Sequence, residues 1–116
     1  FGMRVRLRMT GDLRQLPAGI GLGVYRIVQE ALTNTFKHAG AGAAADVAVN
    51  RDGDTVTVEI CDNGALAPAR LAGVTGGNGL IGMRERASMF GGTVCAGPRQ
   101  EGGWRVYAEL PLPSET

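Results

Sequence analysis

Val5, Leu7 and Met9 alternate with Arg4, Arg6 and Arg8, a period of two that predicts a half-buried strand over Met3–Met9 with its arginines on a solvated face. The same alternation runs through Asp46–Arg51 and Thr55–Ile60, where Val56, Val58 and Ile60 interleave with Thr55, Thr57 and Glu59. Between these two runs lies Arg51-Asp52-Gly53-Asp54, whose Asp-Gly pair favours a tight turn and hence an antiparallel hairpin. Two more strands are expected at Thr93–Ala96 and Trp104–Leu110, separated by a turn containing Gly97 and Pro98.

The period changes to that of a helix over Ile20–Ala39, where Ile20, Val24, Val28, Ala31, Leu32 and Thr35 share one side. Pro17 precedes this segment and Gly40 follows it, as expected of helix ends. A second helix is expected over Leu80–Phe90, with Leu80, Met83, Ala87 and Phe90 as its apolar stripe and Gly91-Gly92 as its stop. Leu66–Gly76 carries neither period and contains Pro68, so it reads as a mobile loop. Strand, helix, hairpin, loop, helix and two strands make an α+β two-layer sandwich, a mixed sheet of about five strands with helices on one face.

Composition narrows the class. A chain of 116 residues that is 44% hydrophobic can bury a core without disulfides or a structural metal, which predicts a single domain over residues 1–116. Its 19 glycines follow no three-residue period, which excludes collagen, and the recurrent apolar segments exclude disorder. Twelve Lys and Arg residues against eleven Asp and Glu give no basic surplus, so direct nucleic-acid binding is not expected. No apolar run is long enough to cross a bilayer, which predicts no membrane contact by this domain and a cytoplasmic location, whether or not a parent protein is membrane-anchored. Cys61 and Cys95 form no CxxC pair, and His38 is the only histidine, so a zinc site lacks ligands and a reducing compartment fits. The chain opens on Phe1 rather than methionine, which predicts a piece of a longer protein.

Three groups of residues carry possible chemistry. Glu30, Asn34, Lys37 and His38 form a polar stripe beside the apolar one on the first helix. Such a stripe is either a solvated face with an internal ion pair or a row able to hold a magnesium ion, a water and a phosphate. Asn34 is a poor residue for the middle of a helix, and Lys37 is the only lysine of an otherwise arginine-using chain, which favours the second reading. Asp62-Asn63-Gly64 ends the third strand, either as an ordinary turn or as a hydrogen-bond acceptor beside a glycine that admits a flat ligand. Gly77, Gly79 and Gly82 form a GxGxxG run that leads through Leu80 into the second helix. A loop rather than a strand precedes it, which argues against a dinucleotide-binding fold and leaves a flexible linker or a phosphate contact.

In order and interval these groups resemble the ATP-binding catalytic domain of bacterial sensor histidine kinases, of the superfamily shared with gyrase and the heat-shock chaperone ATPase. The resemblance rests on Glu30-x-x-x-Asn34 within Tyr25–Asn34, on Asp62-x-Gly64, and on Gly77-x-Gly79-Leu80-x-Gly82-Met83-Arg84-Glu85-Arg86, and it runs from about Val5 to Leu112. Their wording is similar to the subfamily paired with helix-turn-helix response regulators. The resemblance implies a Bergerat-type fold with ATP and Mg²⁺ as cofactors. By it, Asn34 supplies an oxygen to Mg²⁺, Lys37 neutralises phosphate charge with His38 nearby, and Glu30 holds a water near the γ-phosphate. Asp62 accepts a hydrogen bond from the adenine amino group and Gly64 lets the ring lie close. Gly77, Gly79, Leu80 and Gly82 form the phosphate segment, with Leu66–Gly76 as a lid. The implied partners are ATP or ADP, the histidine-bearing dimerisation helices of a parent kinase and, through the full-length protein, a response regulator. A stand-alone serine kinase acting as an anti-sigma factor, or a nucleotide-binding module without catalysis, are the other readings. Two positions depart from the family pattern: Leu66 replaces its usual second glycine, and Trp104 replaces the threonine that often follows the late Gly-Gly pair. The family's phosphoacceptor histidine lies on a separate helix, so His38 is expected to neighbour phosphate and not to accept it.

Overall fold

The computed structural model describes residues 4–39, 42–64 and 78–113. Its elements in chain order are β1 (Arg4–Thr10), α1 (Ala18–Ala39), β2 (Ala44–Asp52), β3 (Thr55–Asp62), α2 (Asn78–Ser88), β4 (Thr93–Pro98) and β5 (Trp104–Pro111). The strands form one sheet in the order β1-β2-β3-β5-β4. β1 and β2 run parallel across the α1 crossover, and every other pair is antiparallel. The two helices cover one face, the expected α+β sandwich. The expected loop Leu66–Gly76 lies outside the described residues, as does Met3.

The three central strands alternate as their sequences dictate. Val47 and Val49 of β2, Val56, Val58 and Ile60 of β3, and Val106, Ala108 and Leu110 of β5 are buried against the helices. They meet Ile20, Ile27 and Ala31 of α1 and Leu80, Met83 and Ala87 of α2 in one core. Gly53 takes a φ of +61° in the β2–β3 hairpin, a value that glycine adopts without strain. β3 runs two residues further than its alternation alone predicts, so Asp62 is the last ladder residue, opposite Ala45 of β2 and Trp104 of β5.

β1 departs from expectation, because all seven of its residues are exposed and it is not half-buried. Val5 is 45% exposed, and Leu7 and Met9 are each 59% exposed. The cause is topological: β1 is an edge strand, and α1 packs over β2 and β3 instead of over it. The buried side of α1 is also rotated from the expected stripe. It runs through Ile20, Gly23, Ile27, Ala31 and Thr35, while Val24, Val28 and Leu32 are half-buried flanking residues.

Glycines in α1 permit the contact between the helices. The Phe90 ring, just beyond α2, lies so close to Gly19 and Gly23 that a Cβ there would stand 3.3 and 3.0 Å from it. Each glycine weakens the helix by about 1 kcal/mol relative to alanine, a cost set against the packing of an aromatic ring. Among the described residues, no helix is long and apolar enough to cross a membrane.

The two classes of apolar position predict different mutational costs. Ile27→Ala, at a fully buried site, is expected to lower stability by about 2–5 kcal/mol in urea denaturation, whereas Leu7→Ala is expected to stay within about 0.5 kcal/mol of the parent. Equal losses at the two positions would contradict the uncovered state of β1.

Candidate functional site

Asp62 ends β3 with its side chain on the helix-covered face and is only 2% exposed. A buried carboxylate must be hydrogen-bonded to be tolerated. Thr35 of α1, also 2% exposed, donates its hydroxyl to Asp62 Oδ2 at 2.9 Å, and the Gly64 backbone N–H donates to Oδ1 at 2.9 Å. The next residue holds the sheet end from the other side. Asn63 Oδ1 accepts from the Ala44 N–H at 2.8 Å, while the Asn63 N–H donates to the Ala44 carbonyl at 3.2 Å. Asp62-Asn63-Gly64 is therefore a turn that its own side chains help to hold.

A third contact reaches this turn from the connection between β4 and β5. Arg99 donates from Nη1 to the Asp62 carbonyl at 2.9 Å and from Nη2 to Glu101 Oε2 at 2.8 Å. Gly103, with φ +90°, passes so close to the Asp62 carbonyl oxygen that a Cβ would collide with it. Trp104 follows directly and is buried beside Asp62 in the ladder, in the position where the family pattern often has threonine.

The polar stripe lies along the second half of α1. Glu30, Asn34 and His38 are half-buried and Lys37 is exposed. Thr35 reaches the sheet from the same turn, so one helical step separates Asn34 from the residue bonded to Asp62. Gly79 lies in the first turn of α2, Leu80 is 7% exposed within the core, and Gly82 is half-buried with open space where a Cβ would project. Gly77 and Leu66 lie outside the described residues. Arg84 donates from Nε to the Val94 carbonyl at 3.3 Å, so it ties α2 to β4.

Sequence reasoning passed over Thr35 and Arg99. Thr35 was legible only as a member of the buried stripe, although a hydroxyl among apolar neighbours implies a buried acceptor. Arg99 stands in a Gly/Pro turn where an arginine reads as solvated. Cys61 is half-buried and Cys95 is exposed, and burial pushes the Cys61 thiol up, away from the reactive thiolate.

The donor set bears on a divalent cation. Among the described residues no three His, Cys, Asp or Glu side chains converge on a common point. The Asn34 amide oxygen is a hard donor of the kind that magnesium accepts beside water and phosphate.

Comparison with known proteins gives this geometry a family. The chain is 37% identical over 112 residues to the sensor histidine kinase YxjM of Bacillus subtilis, an alignment covering 96% of this chain and 26% of that protein. It is 31% identical over 114 residues to the signal transduction histidine-protein kinase/phosphatase DegS of Brevibacillus brevis, covering 98% and 29%. The chain thus spans between a quarter and a third of the length of these relatives. Among solved structures, the blue-light activated histidine kinase of Erythrobacter litoralis superposes with a TM-score of 0.79 at 22% identity, covering 97% of this chain and 36% of that one. The ATP binding domain of PrrB from Mycobacterium tuberculosis superposes with a TM-score of 0.66 at 26% identity, covering 97% and 82%. The family model for the histidine kinase-, DNA gyrase B-, and HSP90-like ATPases matches residues 19–114, from the first turn of α1 to beyond β5, and the chain belongs to that family.

Proposed function

We propose that this chain is the single ATP-binding catalytic domain of a two-component sensor histidine kinase, which binds Mg-ATP and donates its γ-phosphoryl group to a histidine on a separate dimerisation helix. The observation that carries the reading is the Asp62 carboxylate, held at the end of β3 by Gly64 and by Thr35 of α1, the residue that follows Asn34. Membership of an ATPase family and kinship with proteins named as sensor histidine kinases support it.

Each residue then has a physical role. Asp62 accepts a hydrogen bond from the adenine amino group, and Gly64 leaves the base room to approach the backbone. Asn34 offers its amide oxygen to Mg²⁺ bound on the phosphates, and Lys37 and His38 stand on the same stripe to offset phosphate charge. Bound there, the ion would supply charge neutralisation to the transferring phosphoryl group. Glu30, one turn before Asn34, orients a water or the attacking group. Gly79 presents its backbone N–H in the first turn of α2, Gly77 is given the same role from its place in the motif, and Leu80 anchors the segment in the core. In the transfer a nitrogen of the acceptor histidine forms a bond to the γ-phosphorus while the bond to the departing ADP oxygen breaks, so positioning and charge stabilisation supply the catalysis. The parent kinase's dimerisation helices and, through it, a response regulator are the protein partners, and the domain works in the cytoplasm.

Three outcomes test the reading. Asp62→Ala is expected to weaken ATP and ADP alike by about tenfold to a hundredfold in calorimetric titration, the worth of a hydrogen bond to a charged acceptor. Undiminished ADP binding by the variant would remove the adenine assignment. Asn34→Ala is expected to abolish the enhancement of ATP binding by Mg²⁺ while ADP binding without metal is retained, and equal enhancement in parent and variant would sink the metal role.

The third concerns the acceptor. His38 lies one helical turn beyond Asn34, beside the phosphates and not in line with the leaving oxygen. The chain alone is expected to gain no acid-labile phosphate from labelled ATP, with transfer restored by a histidine-bearing helix of the parent kinase. Labelling of the chain alone, lost in His38→Gln, would overturn that expectation, and failure of transfer to any supplied helix would favour a nucleotide-binding module without catalysis.

A further inference from the structure

We propose that Thr35 is the positioning residue that makes the site selective for adenine, by fixing the plane of the Asp62 carboxylate; the inference rests on the assignment of Asp62 to the base. The terminal torsion of an aspartate is broad, so the β3 backbone alone does not set where its oxygens point. Two donors at right places do. Gly64 N–H holds Oδ1 at 2.9 Å from the turn, and Thr35 Oγ1 holds Oδ2 at 2.9 Å from the helix layer. Each carboxylate oxygen offers two lone pairs, so neither bond by itself exhausts the oxygen that accepts it.

The direction of the Thr35 hydroxyl is the informative detail. A threonine inside a helix commonly turns its hydroxyl back to a carbonyl of the preceding turn. Thr35 has one proton to donate, and it is directed out of α1 to the sheet, between two side chains that are each 2% exposed. A bond so shielded from water is orientationally strict, because neither partner has solvent to turn to. Cross-strand from Asp62 stands Trp104, which has no hydroxyl to offer, so the hydroxyl donor on this carboxylate comes from the helix.

Held this way, Asp62 acts as an acceptor and recognises the 6-amino group of adenine, a donor. Hypoxanthine and guanine carry an oxygen there, itself an acceptor, which the same carboxylate repels. Removing the Thr35 hydroxyl takes away the donor that holds Oδ2 from the helix layer and loosens the carboxylate plane, which weakens the bond that only adenine makes and leaves contacts to ribose and phosphate in place. Loss of affinity is therefore specific to the base.

The test compares ADP with inosine diphosphate, which differs at this group of the base, on the 116-residue chain by calorimetric titration. In Thr35→Val, of nearly the same shape, ADP is expected to bind about tenfold more weakly while inosine diphosphate stays within about twofold, so the preference for adenine collapses. Thr35→Ser, which keeps the hydroxyl, is expected to retain the parent's preference, and it decides the question even if the valine variant is too unstable to titrate. In an Asp62→Asn background Thr35→Val is expected to change the ratio no further. A parent chain without preference for ADP would remove the adenine assignment and this inference together. A parent that prefers ADP, with an unchanged ratio in Thr35→Val or a lost one in Thr35→Ser, would overturn the role of Thr35 alone.

Discussion

The buried carboxylate of Asp62 is the constraint around which one end of the molecule is arranged. A charge taken out of water is tolerated only where the protein supplies directed donors, and losing one donor costs more than the bond itself contributes. Thr35 and Gly64 supply them, from the helix layer and the turn. The surrounding backbone is fixed in the same way: Asn63 binds Ala44 at the start of β2, and Arg99 reaches the Asp62 carbonyl from the β4–β5 connection. Four segments distant in sequence thus meet at one turn. Gly103 has no side chain because the Asp62 carbonyl fills the space that one would occupy.

The opposite end of α1 is fixed by shape instead of charge. Phe90 lies on Gly19 and Gly23, which seats the end of α2 against the start of α1. One helix therefore has a polar anchor near its carboxyl end and an aromatic one near its amino end. Between them Ile27 and Ala31 hold it to the core. Rotation of α1 about its axis would break the Thr35 bond and drive Phe90 into a backbone turn at once. The facing of Glu30, Asn34 and Lys37 follows from those two contacts, which are made by residues other than themselves.

How much of this was legible in the sequence depends on the source of each signal. Val56, Val58 and Ile60 announced their strand because β3 lies at the centre of the sheet and its inner face is covered along its length. Val5, Leu7 and Met9 repeat the same pattern on a strand that nothing covers, since alternation records which residues share a face and not whether that face is buried. The apolar stripe of α1 was misplaced by part of a turn: Val24, Val28 and Leu32 are half-buried, whereas Ile27 and Gly23, the latter without hydrophobic weight, lie with Ile20, Ala31 and Thr35 on the most buried line. Asp62 was singled out by its motif, but the donors that hold it were not. Arg99 is 37 residues away and Thr35 is 27, and no local rule links such pairs.

The uncovered face of the sheet offers a contrast. There Arg105 pairs with Glu59 at 2.6 Å and lies 4.7 Å from the centre of the Tyr107 ring, and Arg6 pairs with Asp46 at 3.0 Å. The Arg6 guanidinium holds the Asp46 carboxyl below the usual carboxylate range, and the bond from Glu59 raises Arg105 further. The Arg6–Asp46 pair stands in water and the Arg105–Glu59 pair is only partly covered, so solvent screens both and they contribute little to stability. The Asp62 carboxylate has the same formal charge but almost no exposure, and a hydroxyl and an amide are among the groups that hold it. Recognition of a donor by a carboxylate is strict only under those conditions. The covered end of β3, reached by α1, is where the described part of the fold meets them.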